Sequence, residues 1–213
     1  MLRALTVWQG AMKRRYAFLM VMVGIMALVA LGVWGLRQLR PPVFHGQILQ
    51  SSEPVADFAL KAHTGQQVRL SDWRGRWVAL YFGYTFCPDV CPTTLAQLAQ
   101  ARRRLGADAA RVQVIMVTVD PERDTPERLA AYMSAFDPTF VGLTGTPAEI
   151  AAVAGPLGVY FARQEVKGAA GYLVDHTASV LLLDPEGRLR LIWPPNTSPE
   201  LMAEDLSYFL RRG

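Results

Sequence analysis

Both cysteines of this chain stand in one short stretch, Tyr81-Phe-Gly-Tyr-Thr-Phe-Cys87-Pro-Asp-Val-Cys91-Pro-Thr-Thr94. Before it, Trp77-Val-Ala-Leu-Tyr-Phe82 is a continuous apolar run, as in a strand buried on both faces. After it, Leu95, Leu98, Ala99, Ala101 and Leu105 recur at helical spacing until Gly106 stops the pattern. A buried strand that runs into a dithiol and then into a helix leaves few folds open. The strand has to lie inside a sheet, and the rest of the chain reads as presenting the dithiol.

The remaining periodicities extend that frame. Asp57–Lys61 and Gln66–Leu70 flank a Thr64-Gly65 turn and predict a hairpin with His63 exposed at its tip. Arg111–Val119 predicts a second buried strand, Pro126–Phe136 a helix, Phe140–Leu143 a short strand and Pro147–Ala154 a helix. Val159–Ala162 reads as a strand. Ala178–Leu183 and Leu189–Trp193 read as a hairpin across Asp184-Pro-Glu-Gly187, and Pro199–Leu210 as a closing helix. Thr125-Pro126, Thr146-Pro147 (with Glu149 completing a capping box), Ser198-Pro199 and Cys91-Pro92 all have the form of a cap followed by proline at the first helical position. The expected class is an α/β sandwich.

Tyr16–Leu36 carries no charge over about 21 residues, enough at 1.5 Å per residue for a ~30 Å hydrocarbon core. It is too long for a cleaved signal segment and reads as one transmembrane anchor. Lys13, Arg14 and Arg15 before it outweigh Arg37 and Arg40 behind it, which assigns residues 1–15 to a cytoplasmic basic tail. Residues 37–53, with Pro41-Pro42 and His45, read as a solvated linker, and 54–213 as the folded domain on the far side of the membrane. The short tail favours a bacterial inner membrane, with the domain in the periplasm. The net charge of +4 belongs to the tail and its flanks: residues 1–40 hold six of the 22 Lys and Arg and none of the 18 acids. The rest is slightly acidic, so a nucleic-acid partner is excluded.

Two cysteines three residues apart can form a disulfide, hold a soft metal as thiolates, or alternate. An inert bridge across so short a loop would stabilise little. If Cys91 is the N-cap, its sulfur lies at the positive end of a helix dipole and favours thiolate. Strand, dithiol, helix is the thioredoxin-like order, with one residue more between the cysteines than a thioredoxin has. Thiolates select Cu(I) or zinc, and either wants a further ligand. His176, in Val174-Asp-His-Thr177, is the candidate, while Asp175 should point to the opposite face. Met116, Met133 and Met202 are widely spaced on apolar patterns and read as core rather than metal ligands.

Three motifs in order, Gly83-Tyr-Thr-Phe-Cys87-Pro-Asp-Val-Cys91-Pro, Val119-Asp-Pro-Glu-Arg-Asp-Thr-Pro-Glu127, and Asp175-His176-Thr with Asp184-Pro-Glu-Gly187 after it, make residues 50 to 210 resemble the Sco/SenC family of membrane-tethered copper proteins. The resemblance implies a thioredoxin-like fold and a copper site formed by Cys87, Cys91 and His176. It also implies a role in assembling the copper centre of cytochrome c oxidase, by delivering copper or by reducing the target's cysteines. The implied partners are the oxidase's copper-bearing subunit and other periplasmic copper chaperones. Asp120 is a possible extra oxygen ligand for Cu(II). Asp124 and Thr125 read as caps of the next helix, and Glu122 and Arg123 as solvated or partner-facing. The competing readings are a thiol-disulfide oxidoreductase using Cys87 and Cys91, and a zinc enzyme, for which no general-base motif is present. A peroxiredoxin lacks its proline and threonine spacing ahead of Cys87.

Overall fold

The computed structural model describes residues 18–35, 43–49, 51–165 and 171–212. The basic tail 1–15, both ends of the apolar run and the Arg37–Pro42 stretch lie outside them. The chain forms two units, one ending at Val43 and one from Phe44 onward. The first contains α1 (Phe18–Gly35), with a mean hydropathy of 2.4, long and apolar enough to cross a bilayer.

The second unit is built on an eight-stranded sheet of order β1-β10-β9-β4-β5-β6-β2-β3. Its centre is β4 (Trp77–Gly83) and β5 (Val112–Thr118), parallel and in register from Trp77 opposite Val112 to Gly83 opposite Thr118. Every residue of both strands is buried, as their largely apolar composition favours, and Gln113 in β5 satisfies its amide on the Val114 and Thr139 carbonyls. A parallel pair needs a long crossover, which is supplied by α2 (Val90–Arg104). β6 (Val141–Thr144) continues the parallel set beside β5 after α3 (Pro126–Ser134). Gly142 gives α3 its close approach: a Cβ there would meet Leu129 Cβ and Met133 Cγ at 3.1 Å.

Antiparallel strands flank this centre. β2 (Ala59–Ala62) and β3 (Gln67–Arg69) form the expected hairpin, β2 also pairing with β6. On the other side β9 (Val180–Leu183) pairs with β4, and β10 (Leu189–Trp193) with β9. α4 (Pro147–Ala154) follows β6, and α5 (Pro199–Leu210) ends the fold against α2. The architecture is the thioredoxin-like α/β fold expected from the strand–dithiol–helix order.

Three of the four proline-headed starts behave as read. Thr125, Thr146 and Ser198 each accept a backbone N–H in the first turn, and Thr146 with Glu149 closes a capping box. Thr146→Ala removes one half of that reciprocal pair. It is expected to cost about 1 kcal/mol in chemical denaturation, and a change too small to resolve would show that α4 is held by packing alone.

Four expectations need correction. The stretch read as linker is folded from Phe44. The Phe44 ring packs on Tyr208 and Phe209 with centroids 4.9 and 5.1 Å away, and β1 (Gln47–Ile48) adds a strand to β10. A two-residue strand is too short for periodicity to reveal. His45, expected to be solvated, has its N–H against both Asp205 oxygens (3.2 Å each) and its Nε2 at 3.2 Å from Glu204. His63 is half-buried, its Nδ1 accepting the Gly142 N–H (2.9 Å), and burial holds its pKa below the ordinary histidine value. Finally, the strand expected at Val159–Ala162 is β7 (Phe161–Glu165), which forms a separate two-stranded sheet with an unforeseen β8 (Tyr172–His176).

Candidate metal and dithiol site

The site forms where β4 ends and β8 ends. Past Gly83 the chain turns through Tyr84–Asp89 into α2, fastened by Val119 N–H to Gly83 C=O (2.9 Å) and Cys87 N–H to Tyr84 C=O (3.3 Å). Alternation along β4 puts Tyr81 and Gly83 on one side, and Gly83 is needed there: a Cβ would stand 2.6 Å from Tyr81 Cε1 and 3.0 Å from Cys91 Sγ. His176 is the last residue of β8, in register with Phe161. Asp175 beside it is exposed, as strand alternation requires.

Cys91 and His176, distant in sequence, are in contact: Sγ to Nε2 is 3.4 Å. The Tyr81 hydroxyl donates to Cys91 Sγ at 3.3 Å and lies 3.4 Å from His176 Nε2. His176 Nδ1 is 3.0 Å from the Val174 carbonyl. A carbonyl can only accept, so Nδ1 carries the proton and Nε2 turns its lone pair toward the sulfur, the tautomer a metal-ligating imidazole uses. The Tyr84 ring meets the His176 ring edge-on with centroids 5.6 Å apart, and the Tyr84 hydroxyl accepts the Val174 N–H (3.2 Å). Sequence reasoning missed both tyrosines. Tyr81 was legible from the period-2 alternation that places it with Gly83 at the strand's end.

Cys87 and Cys91 are both buried and unbridged. They differ in acidity, and in the opposite sense to the sequence reading. α2 starts at Val90 with Asp89 as N-cap, so Cys91 is one residue inside the helix and its sulfur is enclosed. The Cys91 thiol donates to Cys87, which is the first cause holding the Cys87 pKa down to about 5. Burial opposes this, and the backbone N–H groups of Asp89 and Cys91 reinforce it. The helix N-terminus thus acts on Cys87. Cys91 is pushed far up, by Cys87 first and burial second.

Cys87 in the reduced protein is therefore expected to alkylate with a midpoint near pH 5, while Cys91 stays unreactive until the fold opens. Peptide mapping after iodoacetamide pulses across pH 4–9 checks this, and a Cys87 rate still climbing between pH 7 and 9 would contradict it. A folded-state pKa below the ordinary thiol value of 9.0 adds stability that is present at alkaline pH and is lost as pH falls from 9 toward 5.

The Asp120–Thr125 loop braces the site rather than capping α3 throughout. Thr125 is the cap, but Asp124 is fully buried. It accepts the Thr85 N–H (3.0 Å), the Thr85 hydroxyl (2.6 Å) and the Thr118 hydroxyl (2.6 Å). It ties the cysteine loop to the end of β5, and burial raises its pKa. Asp120 is buried, with one oxygen accepting from Tyr172 (2.8 Å) and the other paired to Arg123. Arg123 lies 3.6 Å from the centre of the Tyr172 ring and 4.6 Å from that of Phe86, so it is packed rather than solvated. Glu122 is exposed and pairs with Arg163 (3.3 Å).

Among the described residues no three His, Cys, Asp or Glu side chains stand as a closed metal-binding cluster. Cys91 nevertheless touches a correctly protonated imidazole on one side and a low-pKa thiol on the other. Two sulfurs and one imidazole nitrogen are a donor set suited to soft ions, so the residues fit copper. The same low-pKa/enclosed thiol pair is equipped for disulfide exchange.

Comparison with known proteins gives a consistent picture. The SCO1/SenC family model matches residues 47–211. "Protein SCO2 homolog, mitochondrial" of Mus musculus is 37% identical over 159 residues, covering 74% of this chain and 62% of that protein, so the match spans less than two thirds of the relative's own length. The crystal structure of Arabidopsis thaliana ScoI with copper bound is similar with a TM-score of 0.71 at 33% identity, over 76% of this chain and 100% of that one. Solution structures of apo Sco1 from Thermus thermophilus give a TM-score of 0.71 at 43% identity, over 78% and 97%. The chain belongs to the SCO1/SenC family.

Proposed function

We propose that the protein is a membrane-anchored copper-binding assembly factor that uses Cys87, Cys91 and His176 to hold copper destined for the copper-bearing subunit of cytochrome c oxidase. The observation that carries the reading is the 3.4 Å contact between Cys91 Sγ and the lone-pair face of His176 Nε2, beside a thiol already inclined to ionise. A similar structure with copper bound supports the choice of ion. Family membership supports the destination. α1 supplies the anchor, and the excess of basic residues before it supports a folded unit on the far side of the membrane, which we read as the periplasm of a bacterium.

Copper is cargo here, not a resident cofactor. A site with few ligands keeps one side open, so an acceptor's donor can attach before this chain's are released. The decisive experiment is a copper titration of the reduced full chain, followed by absorption. A single equivalent and a thiolate-to-Cu(II) band that is lost in Cys87→Ser and Cys91→Ser are expected. Binding that survives both substitutions overturns the reading.

The acidity split favours a second reading, reduction of a target disulfide. The Cys87 thiolate would attack one target sulfur and expel the other as thiolate. Cys91, giving up its proton, would then attack Cys87 Sγ, releasing the second target thiolate and leaving a Cys87–Cys91 disulfide, two electrons having passed to the target.

A further inference from the structure

Trp77 opens β4 and Gly83 closes it about 20 Å further on, where the dithiol loop begins. The far end of the strand, away from the dithiol, carries a feature that copper binding does not use. An open cleft of ≈ 470 Å³ beside Trp77 is lined by Arg111, Arg188, Arg190 and Arg212, with the Tyr208 and Phe209 rings between them. Two carboxylates also line it. Asp184 is buried and serves Arg188 (2.8 Å) and, more loosely, Arg190 (3.9 Å), while Glu186 meets Arg188 (2.7 Å). Arg111 donates to the Leu210 carbonyl (2.8 Å) and lies 3.4 Å from Asp108. Arg212 lies over the Tyr208 ring, 4.7 Å from its centre. Four guanidinium groups against three carboxylates, Asp184, Glu186 and Asp108, leave the cleft net positive on a stretch of chain that is slightly acidic.

Two further observations point to a ligand and to its source. Trp77, which lines the cleft, is 4% exposed, and its enclosed indole N–H is a donor without a protein acceptor. Phe44, the first residue of the folded unit, packs on the same Tyr208 and Phe209 rings. The link from Gly35 to Phe44, at ~3.5 Å per residue, spans at most roughly 30 Å. The chain therefore enters the folded unit through a residue packed on two of the rings that line the cationic cleft.

We propose that this cleft binds the phosphate of an anionic phospholipid headgroup, holding the β4-start end of the folded unit on the membrane and leaving the dithiol at the other end of the strand turned away from it. The inference rests on the reading of α1 as a membrane anchor. Guanidinium forks match phosphate oxygens, and tryptophan and tyrosine are the side chains most at home at the headgroup level. Each engaged arginine adds roughly a fivefold preference for an anionic surface.

The test uses the full chain reconstituted in vesicles of phosphatidylcholine alone or with phosphatidylglycerol, with phenylglyoxal modification read residue by residue by mass spectrometry. Arg190 and Arg212 are expected to be protected about tenfold or more in the anionic vesicles, with Arg163, on β7, unchanged. R190E/R212E should abolish the lipid-dependent protection of Arg188 while copper stoichiometry stays the same. R190Q/R212Q serves as the milder pair should the reversal impair folding. Equal labelling in both vesicles overturns the proposal. So does equal protection by millimolar inorganic phosphate in phosphatidylcholine vesicles, which would make the cleft a free-phosphate site. A chain that fails to float with either vesicle removes the anchor reading, and the headgroup site falls with it.

Discussion

His176→Ala is expected to lower the copper affinity of the reduced protein on the order of 10³-fold, well beyond the 10–100-fold that loss of an outer-shell group costs. The substitution removes the nitrogen whose lone pair faces Cys91 and leaves both sulfurs in place. The Tyr81–Cys91 contact does not depend on the imidazole, so the dithiol keeps its surroundings on that side. Disulfide exchange with a small-molecule oxidant should accordingly stay within a few-fold of the parent. The two functional readings thus separate in one variant. An affinity unchanged in a competition titration would sink the three-ligand model, whereas loss of copper binding together with loss of exchange would mean that the loop itself had collapsed.

Asp124→Ala should cost about 3–5 kcal/mol, because it removes a fully buried acceptor and strands three donors, the Thr85 N–H and the hydroxyls of half-buried Thr85 and fully buried Thr118. In a domain of this size that corresponds to a melting point lower by roughly 10 °C or more. Copper affinity should fall with it even well below the melting point, since Thr85 lies just ahead of Cys87 and loses its tie to β5. Asp124→Asn keeps one acceptor oxygen and should fall between the two. A loss under about 1 kcal/mol for the alanine variant, measured by urea denaturation, would show that the loop is held by its apolar packing instead.

How much of this was legible in the chain depended on the length of the signal. β4 announces itself because seven consecutive residues leave no polar interruption, and β5 because only Gln113 interrupts its apolar run before Thr118. The proline-headed helices are equally plain, since cap and proline are both local. β8 was not, for it pairs only with β7 and has one buried residue, so neither alternation nor a continuous run marks it. Asp124 looked like a cap because capping and bracing use the same residue type, and only the long-range partner Thr85 tells them apart. The acidity of the dithiol was misassigned for a related reason: a shift of two residues in the helix start, from Cys91 to Asp89 as N-cap, moves the free N–H groups from one sulfur to the other. Cys87, Cys91 and His176 were legible as residues. Of the two tyrosines that enclose His176, Tyr81 could have been found from the alternation along β4, whereas Tyr84 became visible only when the strand ends met.

The folded beginning at Phe44 also decides where a soluble version of the protein can be cut. A truncation starting at Pro54 would strip β10 of its outer neighbour and uncover Tyr208 and Phe209. It would also deprive Asp205 of the His45 N–H, leaving a nearly inaccessible carboxylate supported chiefly by the Trp193 indole (2.9 Å). The shortest autonomous fragment therefore starts no later than Phe44. Any weak metal loading seen with a shorter one would reflect damage at its amino end rather than the chemistry of the thiols.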